Sequence, residues 1–258
     1  MPTALAIGAH PDDIEFLMSG TLLHLVAAGV EVHYFNLADG CCGSTVHDAV
    51  TTAAIRLEEA RAAAAALGAK FHPPICRDLE VFYDRENIAR VASVVRQAAP
   101  EILLTHSPID YMEDHTNACR LAVSAAFARG MPNFAVDPPA PSTLKPIAVY
   151  HAQPYSHHDP FGQTIRPELF VDVTAQIARK IELLGLHASQ KGWLDQSQGL
   201  NSYLDTLRRL DGECGAMSRE FKYAEGWRRH WHLGFGPPNY DPLRDLLPRQ
   251  LIAFAHSA

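Results

Sequence analysis

Between Ala4 and Ala128 the chain repeats one pattern: a short apolar run, a polar turn, then a longer stretch with helical periodicity. Strands are expected at Ala4–Gly8, Glu31–Leu37, Lys70–His72 and Glu101–Thr105, with helices over Asp13–Ala28, Val50–Leu67, Arg85–Ala98 and His115–Ala128. Strands that alternate with helices pair in parallel through helical crossovers. The pattern therefore predicts an α/β fold, Rossmann-like, with a mainly parallel sheet and helices on both faces. Gly29, Gly68 and Pro100 fall where the helices should stop.

The second half is less regular. Proline-rich 131–146 reads as an extended surface excursion. Ile147–His151 and Leu169–Val173 read as two more strands, joined by the turn-rich stretch Gln153–Gly162. Helices are expected over Thr174–Gln190 and Gln198–Met217, and a surface tail from Pro237 onward. Trp227-Arg-Arg-His-Trp231 is expected to form an interface or lid, since aromatic and arginine side chains anchor contacts.

No composition break divides the 258 residues, so residues 1–258 are read as one domain with a helical region and tail over 174–258. The net charge of −7 leaves no basic footprint and argues against nucleic acid or an anionic membrane surface as partner. No apolar run approaches the roughly twenty residues of a membrane span, and the first ten residues lack a basic leader, so no membrane insertion and a cytoplasmic location are expected. The five cysteines are odd in number and have no C-x-x-C spacing. They suggest neither a disulfide framework nor a thiolate zinc site, and Cys41-Cys42 is read as a pair of small turn or core residues. A G-x-G-x-x-G fingerprint is missing as well, which disfavours a dinucleotide site.

Chemistry concentrates where two strands hand over to helices. Gly8-Ala9-His10-Pro11-Asp12-Asp13 follows the first strand, and His106-Ser-Pro-Ile-Asp-Tyr-Met-Glu-Asp-His115 follows the fourth. In open α/β folds ligands collect at the carboxyl ends of strands. Pro11 suits a first helical turn, which puts His10 and Asp13 on one side. Aspartates at helix starts also serve as plain caps, but the second histidine-bearing turn favours a site. His10, Asp13 and His115 form a two-histidine, one-carboxylate set without thiolate, the pattern of catalytic rather than structural zinc. Asp12 is then free to take a proton from a metal-activated water, and Asp114 to orient a ligand or tune that base.

These fragments resemble the LmbE-like, or PIG-L, family of zinc-dependent N-deacetylases, whose first motif reads His-Pro-Asp-Asp and whose second usually reads His-Pro-Asp-His. Arg56-Leu-Glu-Glu-Ala-Arg61, His187-Ala-Ser-Gln190 and Tyr223-Ala-Glu225 look like further landmarks, so the likeness covers most of the chain. The resemblance implies one Zn2+ per chain at His10, Asp13 and His115, with Asp12 as general base, and Arg56 as a substrate-binding residue. It also implies a substrate: a small, N-acetylated, sugar-like molecule such as an N-acetylglucosamine derivative. The sequence departs from the family at Met112, where the usual motif has a histidine thought to polarise the substrate carbonyl, and at Glu113, where proline is usual.

A thioether cannot donate a hydrogen bond, so the missing donor is expected from His157 or His158, or failing them from His106, which otherwise reads as a substrate-binding or supporting residue. The expected activity is removal of an acetyl or other acyl group from an amide nitrogen. An amidase acting on a larger thiol-sugar conjugate and a metal-retaining, non-catalytic sugar-binding protein are the alternatives. A homo-oligomer is left open.

Overall fold

The structure is a computed structural model, and it describes residues 1–190, 192 and 203–253. Its centre is one eight-stranded sheet: β1 (Thr3–Gly8), β2 (Glu31–Asn36), β3 (Lys70–His72), β4 (Ile102–Thr105), β5 (Ala148–Ala152), β6 (Leu169–Asp172), β7 (Ala224–Arg229) and β8 (Leu251–Ala253). The spatial order is β3-β2-β1-β4-β5-β7-β6-β8. The first five in that order run parallel, with Ala4 opposite Ile102 and Val32, whereas β7, β6 and β8 pair antiparallel.

The parallel strands are buried on both faces, and this explains their continuous apolar runs. Successive residues point to opposite sides. Leu5, Ile7, Phe35 and Leu103 pack against α4 (Arg85–Ala98) and α5 (Glu113–Ala128), through Val91, Val95, Leu121 and Ala125. Ala4, Ala6, Tyr34 and Leu104 face the other layer, made by α1 (Asp13–Leu17), α2 (Ser19–Ala27), α3 (Ala49–Leu67) and α6 (Ile177–Leu184). α7 (Tyr203–Ser218) and a short α8 (Pro242–Leu246) lie beyond them in the chain.

Several expectations are corrected. The helix expected over Asp13–Ala28 is two helices that break at Met18, whose φ of −134° is not helical. The break has a partner: the carboxylate of Glu225 accepts from the Gly20 and Thr21 amides at 2.8 and 2.7 Å, satisfying donors at the start of α2. The motif around Trp227 is neither interface nor lid at its first tryptophan, because Trp227 lies fully buried in β7 and donates to Thr21 Oγ1 at 3.0 Å; Trp231 is exposed. The segment after Pro237 is more than a surface tail, since it forms α8 and the edge strand β8. Of the helix expected over Gln198–Met217, residues 198–202 lie outside the described residues.

Candidate active site

The strand order changes direction across β1, with β2 on one side of it and β4 on the other. That switch point opens a crevice beyond the strand ends. The β1–α1 turn delivers His10 and Asp12 to it and α1 starts with Asp13, while the β4–α5 loop delivers His106 and Asp110 and the first turn of α5 His115. The two turns are tied together, since Thr105 Oγ1 donates to Ile7 O at 3.1 Å and the Ala9 amide donates to His106 Nε2 at 2.9 Å.

Asp13 is held by its own turn, its Oδ2 accepting from the His10 amide at 2.7 Å and the Ala9 amide at 3.1 Å. Its other oxygen, Oδ1, stands 3.3 Å from His115 Nε2. His115 gives its second nitrogen, Nδ1, to Asp110 Oδ1 at 3.0 Å. His10 is arranged in the same way: Nε2 bonds Asp114 Oδ2 at 3.0 Å, while Nδ1 lies 3.5 Å from Asp13 Oδ2. Each ring thus has one nitrogen fixed by a carboxylate and the other turned toward Asp13, the arrangement that orients metal-ligating histidines. One donor atom from each of His10, Asp13 and His115 falls within 4.8 Å of the others, so these residues could hold a metal ion. His106, Asp110 and His115 form a second such group. Of the two, only the first borders, with all three members, a cavity of about 300 Å³.

Charges in this cluster follow from its packing. Burial works against the imidazolium of His10, yet its bonds to Asp114 and Asp13 outweigh that and push its pKa up to about 9. His115 is likewise raised against the effect of burial, by Asp13 and Asp110. Burial favours a neutral Asp13, but His115, His106 and His10 hold its carboxyl well below the usual range. Burial and the charge of His115 lower the pKa of His106, Asp13 opposes them, and its Nε2 lies 2.9 Å from the Ala9 amide, which donates to it.

Asp12 has a different setting. Its φ of 109° is rare for a residue with a side chain, a strain that aspartate tolerates better than most. It caps no helical amide through its side chain. Instead Oδ2 accepts from the Tyr203 hydroxyl at 2.8 Å and lies 3.4 Å from Arg56 Nη2. Burial raises its pKa, Arg56 opposes that, Asp13 adds to it, and the net shift is upward. Arg56 is itself buried, donating to Pro11 O and Gly40 O. It fits because residues 40 and 43 lack side chains: a Cβ on Gly40 would come 2.5 Å from Arg56 Cδ, and one on Gly43 2.7 Å from Nη1. Arg56 is thus tied into the wall of the cavity that it was expected to offer to substrate.

Comparison with known proteins places this geometry. Residues 5–127 match the family model described as PIG-L, GlcNAc-PI de-N-acetylase. The diacetylchitobiose deacetylase of Thermococcus kodakarensis is 30% identical over 234 residues, which cover 87% of this chain and 81% of that one. The chain belongs to the PIG-L (LmbE-like) family. Another relative is the 4-oxalmesaconate hydratase of Pseudomonas putida, 28% identical over 197 residues that cover 73% of this chain and 74% of that protein. Among solved structures, the N,N'-diacetylchitobiose deacetylase of Pyrococcus horikoshii, in complex with an inhibitor, superposes with a TM-score of 0.74 at 25% identity, covering 93% of this chain and 88% of that one.

Met112 lines the cavity. The replacement donors expected from the β5–β6 loop do not: neither His157 nor His158 borders the cavity, and that expectation is corrected. His157 is buried with its ring on Leu210 O at 2.9 Å, and His158 is exposed with its ring on Ser156 O. The backbone directs them there, because Ser156 and His157 both take positive φ and so turn the side chains away. The same loop instead presents Tyr155, whose hydroxyl is buried and has no partner among the described residues. Tyr111, beside Met112, meets His115 edge-on at 5.7 Å. The sequence reading missed Asp110 and Tyr203. Asp110 carried a usable signal, an acid just upstream of the second histidine; Tyr203 carried none.

Proposed function

We propose that this chain is a metal-dependent N-deacetylase that hydrolyses the acetyl amide of a small, sugar-like molecule. One observation carries the reading: two oriented histidines and a carboxylate converge on one point at the cavity wall, with a second, strained aspartate beside them that caps no helix. We assign His10 Nδ1, Asp13 Oδ1 and His115 Nε2 as ligands of one divalent cation, zinc by the chemistry of the donors. Bound there, such a cation lowers the pKa of a water and polarises a carbonyl.

The chain's own groups do the rest. Asp12, whose pKa is raised by burial, takes the proton from the attacking water and returns it to the departing amine. The Tyr203 hydroxyl and Arg56 keep that carboxylate aimed. Tyr155 or Tyr111 supplies the hydrogen bond that Met112 cannot give to the developing oxyanion, a contribution on the order of 3 kcal/mol. Asp114 and Asp110 hold the two histidines in register. The deacetylase relatives support an N-acetylated sugar-like substrate.

The test is acetate release from a panel of N-acetyl amino sugars by metal-loaded protein. Asp12→Ala should keep its metal and lose roughly a hundred- to ten-thousand-fold in turnover, while Asp13→Ala should lose the metal. If neither sugar nor disaccharide releases acetate, the reading fails. A second reading, addition of water to a conjugated double bond, is supported by the hydratase relative and by Met112. It uses the same water and the same Asp12. Loss of absorbance from an unsaturated dicarboxylic acid, without acetate release, would select it.

A further inference from the structure

Cys41, Cys42 and Asp78 come together at the wall of the same cavity, on loops that supply none of the histidine-carboxylate set. The first two lie in the loop after β2 and the third in the loop after β3, and Cys42 and Asp78 border the cavity. A sulfur from each cysteine and an oxygen from Asp78 all lie within 4.8 Å of one another.

The sulfur spacing discriminates between possible roles. The two Sγ atoms are 3.9 Å apart. Tetrahedral zinc, with Zn–S near 2.3 Å, sets two thiolates about 3.8 Å apart. A disulfide instead needs about 2.05 Å and Cα atoms usually at least about 4.4 Å apart, whereas neighbours across a trans peptide are held about 3.8 Å apart. The spacing, which is that of an S–H···S hydrogen bond, also fits two sulfurs on one ion and does not fit a disulfide.

The third donor is positioned in advance. Asp78 Oδ1 accepts from the Gly40 amide at 2.7 Å and Oδ2 from the Cys42 amide at 2.9 Å. The turn that carries the sulfurs thus fixes the carboxylate beside them, as the β1–α1 turn fixes Asp13. Cys41 is buried, while Cys42 is exposed and open to an ion from solvent. The Cys42 thiol is pushed up to about 11 by burial, Cys41 and Asp78, so binding must displace that proton.

We propose that Cys41, Cys42 and Asp78 form a second site, for a thiophilic divalent cation such as Zn2+ or Cd2+, on the rim of the cavity. Binding exchanges thiol protons for the ion and leaves a fourth position for water. The site shares no residue with the histidine-carboxylate set, so its existence does not depend on the deacetylase reading.

Cadmium tests it, because cadmium thiolates absorb in the ultraviolet by charge transfer and nitrogen and oxygen complexes do not. Reduced, chelator-stripped protein titrated with Cd2+ should bind two equivalents, one of them with the thiolate absorption. Cys42→Ser should lose that absorption and one equivalent. His10→Ala should lose the other equivalent and keep the absorption, which separates failure of this site from failure of the first. Asp78→Asn should weaken the thiolate site roughly tenfold or more. In the wild-type chain, cadmium should slow alkylation of Cys42 by iodoacetamide, read by mass spectrometry, so the result does not rest on a variant that folds. No thiolate absorption in wild type, full absorption in Cys42→Ser, or alkylation of Cys42 unaffected by cadmium would each overturn the proposal.

Discussion

His10 shows how a single residue in this cluster answers to pH. Without metal its imidazolium is held up to about pH 9 by Asp114 and Asp13, against an ordinary value of 6.5. A raised histidine stabilises the fold fully below its unfolded pKa, and that contribution fades as pH climbs from 6.5 to about 9. Metal binding must expel the same proton, so affinity moves the opposite way, rising roughly tenfold per pH unit through this window for one displaced proton. Calorimetric zinc titrations at two pH values should show that rise in the wild type and a weaker dependence in His10→Ala. In chelated protein, the stability gap between the two should narrow as pH rises from 6.5 toward 9. A pH-independent zinc affinity would mean that His10 is not the ligand.

At the scale of elements, the loop between β4 and α5 matters as much as the helix that carries His115. Asp110 Oδ1 accepts from both the His115 ring, at 3.0 Å, and the Met112 amide, at 3.2 Å, so one oxygen fixes the ring and the start of α5 together. Removing such a partner of a metal-ligating histidine costs about ten- to a hundred-fold in metal affinity. Asp110→Ala is expected to fall in that range and Asp110→Asn, which keeps an acceptor, to lose less. Competition with a chromophoric chelator measures both. Equal affinity in Asp110→Ala and wild type would mean that the ring is held by packing alone, and its stacking on His106, with centroids 4.2 Å apart, is the group that would do so.

Across the whole molecule, a buried charge cluster ties the antiparallel half of the sheet to the helices packed on it. Lys180 of α6, fully buried, reaches Asp211 of α7 at 2.8 Å and Glu225 of β7 at 2.7 Å, and Glu225 in turn receives the first amides of α2. One cation therefore links the antiparallel strands to the helical layer that backs the site. Truncating it strands two carboxylates without water. Lys180→Ala should destabilise the fold by roughly 3–5 kcal/mol, the cost of breaking a buried ion pair from one side. Urea denaturation reads this directly, and a loss below about 1 kcal/mol, typical of an exposed pair, would assign the cluster a minor role.

The sequence alone determined the parallel half of the sheet and the turns that bear the histidines. There the local signals agree: strands buried on both faces must be apolar throughout, and each ends in a polar turn before a periodic helix. Of the antiparallel half it determined the strand at Leu169–Asp172 and neither of that strand's partners. Ala224–Arg229 carries a buried Glu225 whose burial makes sense only beside Lys180, and Leu251–Ala253 is too short to show a period. The same division runs through the site. That His10, Asp13 and His115 would meet was legible because each follows the carboxyl end of a strand, β1 or β4, that pairs with the other. His157 was placed wrongly because its backbone turns at positive φ and its ring bonds Leu210 O. Asp78 could not have been matched to Cys41 and Cys42 from their order in the chain. Only the parallel pairing of β2 with β3 brings those two loops side by side, because contacts between distant residues are set by which strands are neighbours.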